Sequence, residues 1–207
     1  MSTLQDAVLV ASRRSAVGRA LKGTLRNTRP DDLAAQVVRA VLADLPGLPL
    51  DLIDDLVLGC AMPEAEQGLN VARVVGLRAG LPDSSSAVTV NRFCASGLQA
   101  IASVAERIRV GAIEAGIAGG VESMSMVPMT GNKISASPEA MEKYASVYTP
   151  MGITAENVAN RFEVSREAQD KFAFGSHQKA AAAQKAGRFD AEIVPVTAVK
   201  YEANQRV

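Results

Sequence analysis

The sequence predicts an α/β fold in which helices cover a largely parallel sheet. Short aliphatic runs alternate along the chain with longer stretches of helical spacing, as in parallel strands that are connected by helices. The composition agrees, because 48% of the 207 residues are hydrophobic and only 4% are aromatic. A core of that composition consists mainly of Ala, Val, Leu and Ile, which is typical of buried parallel strands and the helices that cover them.

Four short aliphatic runs are predicted as strands, and a fifth follows near the end of the chain. Each is rich in Val, Ile, Leu or Ala and is bounded by Gly, Pro or polar residues. The runs cover residues 6–11, 56–59, 87–91, 113–118 and 192–196. We expect the first of them, DAVLVA, to be a buried strand, because its aliphatic residues are continuous.

Helices are predicted after three of these strands. Thr28 and Pro30 open the first helix, because Pro is favoured in the first helical turn. Its apolar positions recur at helical spacing and form one stripe: Leu33, Val37, Val38, Val41 and Leu45. Residues 70–78 and 95–109 are predicted as the next two helices, and Gly111 breaks the second.

The character of the sequence changes near residue 120. Residues 121–151 are rich in Ser, Met, Pro and Gly and show little periodicity, which predicts an extended loop region. Two helices follow: the first has Thr154 as its expected N-cap, and the second starts at Ser165 and runs toward Gly187. We therefore divide the chain into a first domain, residues 1–120, and a second, residues 121–207, that depends on the first for packing.

Composition argues against several classes of partner. The chain has 22 basic and 22 acidic residues, so no overall field attracts nucleic acid or an anionic membrane. No apolar run reaches the length of a membrane span, and the first residues lack the pattern of a secretory signal. One His and two Cys do not make a zinc site, and so few cysteines fit reduced thiols. We expect a cytoplasmic protein without a metal.

Cys94 lies where the predicted strand 87–91 gives way to the helix 95–109, in the stretch VNRFCASGLQA. Ligands of open α/β sheets gather at the carboxyl ends of strands, which makes this a favourable place for a reactive side chain. The positive end of the helix dipole favours a thiolate there, but by only about 0.3–1 kcal/mol. A nucleophilic Cys94 therefore needs a base or another positive group as well.

The neighbours of Cys94 are small. Ala95, Ser96 and Gly97 leave room for a group bonded to sulfur, which fits a nucleophile. The competing interpretation is structural, since Cys is among the most often buried residues. The pattern alone leaves both interpretations open. Cys60 ends another predicted strand but has no helix directly after it, and we expect it to be structural.

Several longer motifs resemble the thiolase family. They are VGRALKGTLRNTRPDDLAA, VNRFCASGLQAI, GGVESMSMVPM and MGITAENVANRFEVSREAQDKFA, followed by SHQKAAAAQKAGRF, and they cover almost the whole chain. The similarity is to 3-ketoacyl-CoA thiolases and acetyl-CoA acetyltransferases rather than to ketosynthases or hydroxymethylglutaryl-CoA synthases. It implies a layered αβαβα fold of two similar domains, here the N-terminal domain and part of the loop domain inserted into it.

The resemblance implies that Cys94 is the nucleophile. It would take the acyl group of a 3-ketoacyl-CoA, release acetyl-CoA and pass the acyl group to a second CoA, as in fatty-acid β-oxidation. Coenzyme A is then a substrate, and no cofactor is expected. Met151 matches a Met that lines the acyl pocket, or it is an ordinary loop Met. Pro150 stands where acetoacetyl-CoA-specific relatives often carry His, which favours a degradative thiolase over a biosynthetic acetoacetyl-CoA thiolase.

Three segments of the family do not occur in these 207 residues. They are NEAFA, GGAIALGHPLG and GGGMG, which carry an Asn, the His that activates the nucleophile and a second, proton-transferring Cys. We expect His177 to be exposed or capping rather than a replacement for that His. The chain is therefore expected to be the N-terminal portion of a thiolase and inactive alone, with the missing half on the same gene or on another polypeptide. The alternative to a thiolase function is that the polypeptide is a catalytically inactive, truncated or split fragment.

Other assignments from the resemblance concern support and assembly. Ser123 and Met124 are expected to support the nucleophile structurally. Thiolases are homodimers or homotetramers with the nucleophile strand near the two-fold axis, and residues 130–148 are expected to form assembly contacts or a substrate lid. No residue is assigned to the CoA phosphates.

Overall fold

The computed structural model describes residues 4–201. A three-stranded parallel sheet is the centre of the fold. Its strands are β1 (Ile53–Gly59), β2 (Ser86–Val90) and β3 (Ala115–Gly120), in the order β2-β1-β3. Both neighbours of β1 run parallel to it. The predicted α/β class with a parallel sheet is confirmed.

Six α-helices accompany these strands in the described part of the chain. They are α1 (Pro30–Ala43), α2 (Val71–Ala79), α3 (Ser96–Arg109), α4 (Pro138–Lys143), α5 (Met151–Arg161) and α6 (Arg166–Lys185). The first three connect or precede strands, as their spacing predicts. None of the six passes the length and apolarity needed to cross a membrane.

Strand β1 is buried on both faces, which explains why its sequence is aliphatic without alternation. Leu56 and Leu58 belong to the cluster on the side of α1 and α2, whereas Val57 packs on the side of α3. The helices contribute small and β-branched side chains to these clusters: Ala34, Ala35 and Val38 from α1, Val71, Ala72 and Val75 from α2, and Ala100 and Val104 from α3.

Helix α3 is attached to β1 near both of its ends. Towards its C-terminus, Arg107 forms an ion pair with Asp55, whose side chain is buried. At its N-terminus the backbone comes so close to β1 that a Cβ on Gly59 would lie 2.5 Å from the carbonyl carbon of Ser96. Any side chain at residue 59 would therefore push this end of α3 away from the sheet.

The predicted strand at residues 6–11 is wrong. Val8, Leu9 and Val10 are each more than 70% exposed, and the structure assigns no strand to this run. A lone extended segment leaves its backbone groups without ladder partners. Within residues 4–201 the sheet consists of β1, β2 and β3 alone, so the run has no strand beside it to pair with.

The predicted strand at residues 192–196 is reduced to a single parallel bridge between Arg14 and Ile193. The Arg14 N–H donates to the Glu192 carbonyl, and the Val194 N–H donates to the Arg14 carbonyl, both at 2.9 Å. Pro195 follows directly and has no N–H to continue such a ladder. The aliphatic pattern is present, but it does not extend into a strand.

The described chain forms two compact units. Residues up to Asn132 and those from Glu192 onward make the first unit, and Lys133–Ala191 make the second. These units differ from the predicted division at residue 120, because residues 121–132 bond back to the sheet loops of the first unit. Compact units need not equal the family's domains, so the domain assignment stays a prediction.

The second unit contains α4, α5 and α6. Helix α6 begins directly after Ser165, close to its predicted start, and Ser165 is its N-cap, since the hydroxyl accepts from the Ala168 N–H at 3.2 Å. The predicted N-cap Thr154 is wrong. Helix α5 begins four residues earlier, after Pro150, and the Thr154 hydroxyl donates to the Pro150 carbonyl inside the first turn. Such a bond is common for Thr within helices and competes with its capping role.

The close approach of α3 to β1 predicts the effect of a methyl group at residue 59. Gly59→Ala should lower the free energy of unfolding by about 1–3 kcal/mol, since backbone atoms of Ser96 and Gly97 must move. The measurement is urea unfolding followed by circular dichroism.

The matched control is Gly47→Ala. Gly47 has no atom within 4 Å of an added Cβ and no positive φ. That variant should keep the stability of the original protein or raise it by up to about 1 kcal/mol, because Ala restricts the unfolded chain. Equal losses at both glycines would contradict the packing argument.

Candidate active site

Cys94 lies in a short 3₁₀ turn, Phe93–Ala95, between β2 and α3, as its sequence position predicts. Its side chain is exposed and is not in a disulfide. The carboxyl ends of the three parallel strands meet at this edge of the sheet, since Gly59 of β1 pairs with Val90 of β2 and Gly120 of β3. The thiol therefore stands at the edge where α/β sheets collect their ligands.

The turn around Cys94 is held by a side chain on each flank. Asn91 Oδ1 accepts from the Phe93 N–H at 2.8 Å. On the other flank, Ser96 Oγ donates to the Phe93 carbonyl at 2.6 Å and accepts from the Arg92 N–H at 2.9 Å. Phe93 has φ +49°, a conformation that a residue with a side chain adopts only when it is stabilised locally.

Each of the three small residues after Cys94 has a different environment. Ser96 is buried, and its hydroxyl is used within the turn. Gly97 lies close to the Gly119–Gly120 segment. Ala95, the N-cap residue of α3, has no side chain that could accept from the helix N–H groups. The start of α3 thus leaves N–H groups and a positive dipole end near the thiol, which favours an anion there.

Cys60 is in the opposite environment. It is buried, and its side chain lies beside the Glu122 carboxylate, with 3.9 Å between Sγ and Oε1. Burial first, and then the negative charge of Glu122, raise the pKa of the Cys60 thiol to about 11. A thiol with that pKa is protonated at neutral pH and is a poor nucleophile. The expected structural character of Cys60 agrees with this burial.

Glu122 follows β3 and ties the loop after β1 in place. Its carboxylate accepts from the Ala61 N–H at 2.7 Å and the Met62 N–H at 3.4 Å, and it also accepts from the Gln67 amide. Gln67 is fully buried. Its amide nitrogen also donates to the Met62 carbonyl, and its amide oxygen accepts from the Ser123 N–H, both at 2.8 Å.

Ser123 and Met124, which were expected to support the nucleophile, differ in their contacts and exposure. Ser123 takes part through its backbone N–H, as just described, whereas Met124 is 43% exposed. Sequence reasoning did not single out Glu122, Gln67 or Asn91. A buried Gln has no periodic signature, and the GGVESMS motif drew attention to the residues beside Glu122 instead.

Met151 and His177 belong to the second unit. Met151 is the first residue of α5 and is 68% exposed. His177, the one His of the sequence, is exposed in the middle of α6 and is not a cap. Each unit is described by itself, so the assignment of Met151 to an acyl pocket stays a prediction.

A cavity of about 530 Å³ lies on the α1 side of the sheet. Its wall includes four residues of the predicted α1 stripe: Leu33, Val37, Val38 and Val41. Leu33, Val37 and Val41 are only half-buried, whereas Val38 is buried and also belongs to the core. The wall continues over residues 117–125 and does not include Cys94. This cavity is therefore separate from the thiol.

The fold and the cysteine site together define the class of protein. Residues 7–207 match the family described as the N-terminal domain of thiolase. The chain therefore belongs to the thiolase family, as the sequence motifs predict.

Individual relatives agree with this family. The chain is 52% identical over 193 residues to the 3-ketoacyl-CoA thiolase of Bacillus subtilis. This match covers 93% of this chain and 49% of the relative. It is 47% identical to the peroxisomal 3-ketoacyl-CoA thiolase A of Mus musculus, over 95% of this chain and 46% of the relative. The chain spans about half the length of these curated relatives.

A solved structure shows the same fold. The crystal structure of the Bacillus anthracis acetyl-CoA acetyltransferase superposes with a TM-score of 0.80 at 32% identity, covering 98% of this chain and 53% of that one. The thiolase-like layered fold predicted from the motifs is confirmed by this similarity and by the parallel sheet.

The environment of Cys60 predicts a pH dependence of stability. Because folding raises its pKa to about 11, the unfolded chain releases the Cys60 proton at lower pH than the folded chain. The free energy of unfolding should therefore fall as pH rises from about 9 to about 11, by at most about 1.4 kcal/mol per pH unit. Below that range Cys60 is protonated in both states and adds no slope.

The check is urea unfolding across this pH range, for the original protein and for Cys60→Ala. The variant should lack the Cys60 part of the slope, so the difference between the two stabilities should shrink with rising pH. A difference that stays constant over the whole range would contradict the raised pKa.

Proposed function

We propose that the whole protein is a 3-ketoacyl-CoA thiolase and that Cys94 is its nucleophile. The single observation that carries the proposal is an exposed thiol at the strand–helix junction of a chain that is 52% identical to a 3-ketoacyl-CoA thiolase. The other cysteine of this chain, Cys60, is buried and protonated at neutral pH, which leaves Cys94 as the thiol that a substrate can reach.

The reaction proceeds in two halves. In the first, the Cys94 thiolate attacks the 3-keto carbon, and the bond between C2 and C3 breaks. Its electron pair passes to C2, which takes a proton and leaves as acetyl-CoA, while the shortened acyl group stays on sulfur. In the second half, the thiol of a second CoA gives up its proton and attacks this thioester. The bond between the acyl carbon and the Cys94 sulfur breaks, so the Cys94 thiolate is restored and the shortened acyl-CoA leaves. Covalent catalysis of this kind divides one difficult step into two easier ones.

The N-terminus of α3 contributes to the first half. Its dipole stabilises the thiolate, and a carbonyl oxygen that gains negative charge during the attack is stabilised by nearby backbone N–H groups. The dipole contribution of about 0.3–1 kcal/mol is too small to activate a thiol alone. We propose that the whole protein supplies the activating His and the proton-transferring second Cys, and that these 207 residues alone do not turn over.

Substrate class and assembly follow the same proposal. Acyl-CoA and free CoA are the substrates, CoA is not a resident cofactor, and the acyl chain passes near Met151, whose thioether adapts to different shapes. Pro150 favours degradation of 3-ketoacyl-CoA over synthesis of acetoacetyl-CoA. We propose a cytoplasmic homodimer or homotetramer with residues 130–148 in assembly contacts or in a lid.

The test is acylation of the whole protein by acetoacetyl-CoA without free CoA. One acetyl group should appear on Cys94, because the second half-reaction then lacks its acceptor. Peptide mass spectrometry locates the group. Added CoA should remove it. Cys94→Ala should carry no acetyl group and should lose turnover by a factor of about a thousand or more.

Cys60→Ala is the matched control, since it removes the other thiol of the chain. It should still be acetylated on Cys94, and its turnover should remain close to that of the original protein. An acetyl group on another residue during turnover, or turnover without Cys94, would refute the proposal.

A further inference from the structure

We propose that Asn91 is a positioning residue for the Cys94 thiol and that it acts through a hydrogen-bonded connection to Glu122. The proposal rests on the proposed function, because it assigns these residues to the same thiol. The connection runs from the Glu122 carboxylate through the backbone N–H and carbonyl of Ala61 to the Asn91 side chain, and from there to the turn that holds Cys94.

Asn91 uses both ends of its side-chain amide. Its nitrogen donates to the Ala61 carbonyl at 2.9 Å, and its oxygen accepts from the Phe93 N–H at 2.8 Å. The strand register makes this possible. Asn91 is the first residue after β2, and the neighbouring Cys60 N–H donates to the Val90 carbonyl at 3.0 Å. The loop after β1 is therefore within reach of a short amide side chain.

The Ala61 residue is fixed from two sides. Its N–H donates to Glu122 Oε2 at 2.7 Å, and its carbonyl accepts from Asn91. Glu122 directly follows Val121, whose N–H donates to the Gly59 carbonyl. The loops at the ends of β1, β2 and β3 are thus joined into one rigid edge. The buried Gln67 donates a further hydrogen bond to the Glu122 carboxylate.

The Phe93 backbone is the link to the thiol. Its φ of +49° is unfavourable for a residue with a Cβ, so the conformation lasts only where the surroundings impose it. Asn91 holds the Phe93 N–H and Ser96 holds the Phe93 carbonyl. Without Asn91 this backbone can relax to negative φ, which moves the next residue, Cys94, away from its place at the start of α3.

The experiment compares variants of the whole protein. Asn91→Ala should lower kcat ten-fold or more, while KM stays within about two-fold, because the variant misplaces the nucleophile and leaves substrate binding intact. Alkylation of Cys94 by iodoacetamide should slow three-fold or more. Asn91→Asp keeps an acceptor for the Phe93 N–H and loses the donor to Ala61, so both rates should fall between those of Asn91→Ala and the original protein.

The matched control is Asn70→Ala. Asn70 also donates to a carbonyl, that of Ala87 at 2.9 Å. Its oxygen accepts from the Arg73 N–H at 3.4 Å and from the Thr89 hydroxyl at 2.8 Å, so Asn70 joins α2 to β2 and makes none of its hydrogen bonds to the turn that holds Cys94. This variant should lose stability, measured by urea unfolding, and keep kcat within two-fold. If kcat falls in proportion to stability in both Asn variants, the role of Asn91 is structural only and the proposal is wrong.

Glu122→Gln tests the first step of the connection. An amide cannot accept from all the donors that surround the carboxylate, so kcat should fall in the same direction as in Asn91→Ala. Because both residues act through Ala61, the double variant should be much less impaired than the product of the single effects. Independent, multiplying effects would overturn the connection.

The results separate this proposal from the proposed function. If the original protein is acetylated on Cys94 and Asn91→Ala is acetylated at the same rate, the positioning role is refuted and the thiolase function stands. If Cys94 of the original protein is never acetylated, the proposed function fails. The iodoacetamide rates then still decide whether Asn91 sets the reactivity of the thiol.

Discussion

Among the glycines of the sheet, Gly59 at the end of the central strand has the least room for a side chain, because the first turn of α3 lies against it. Gly59 leaves no room for a Cβ because the backbone of Ser96 and Gly97 occupies that space. The start of α3 is therefore seated on the end of β1, which is buried on both faces and cannot shift to make room. The position of Cys94, two residues before Ser96, follows from this contact.

A single carboxylate organises the other loops at this edge. Three donors from the loop after β1 converge on Glu122, and a carboxylate suits them because it accepts hydrogen bonds without donating any. The same negative charge helps to keep the buried Cys60 thiol protonated. The two cysteines thus have opposite properties, although both follow strands of one sheet: one is buried beside an anion, and the other is exposed at the positive end of a helix.

The sequence predicted those features that depend on local pattern. Periodicity placed the sheet strands, the five longer helices and the strand–helix junction at Cys94, because each pattern lies within one short segment. The short helix α4 lies inside the region 121–151 that was predicted as a loop. It failed for residues 6–11 and 192–196, where an aliphatic run is necessary but a neighbouring strand decides the outcome. Thr154 misled in another way, since Pro150 already starts that helix and leaves the hydroxyl inside its first turn.

The hydrogen-bonded supports could not be read from the sequence for a different reason. Asn91 and Ala61 are 30 residues apart, and Glu122 and Ala61 are 61 apart, so their contacts exist only after the strands align. Neither separation leaves a trace in hydrophobic spacing. The family resemblance named Cys94 but implied nothing about these supports, which only the strand register reveals.

The exposed run Val8–Val10 has a practical consequence for anyone who handles this polypeptide. Extended, aliphatic and free of internal charge, such a segment exposes unpaired backbone and apolar side chains to water together. Two molecules can form an intermolecular strand pair through this run. Purification of the 207 residues by themselves therefore calls for low concentration or a solubilising fusion partner. Aggregation on storage would begin at the run Val8–Val10.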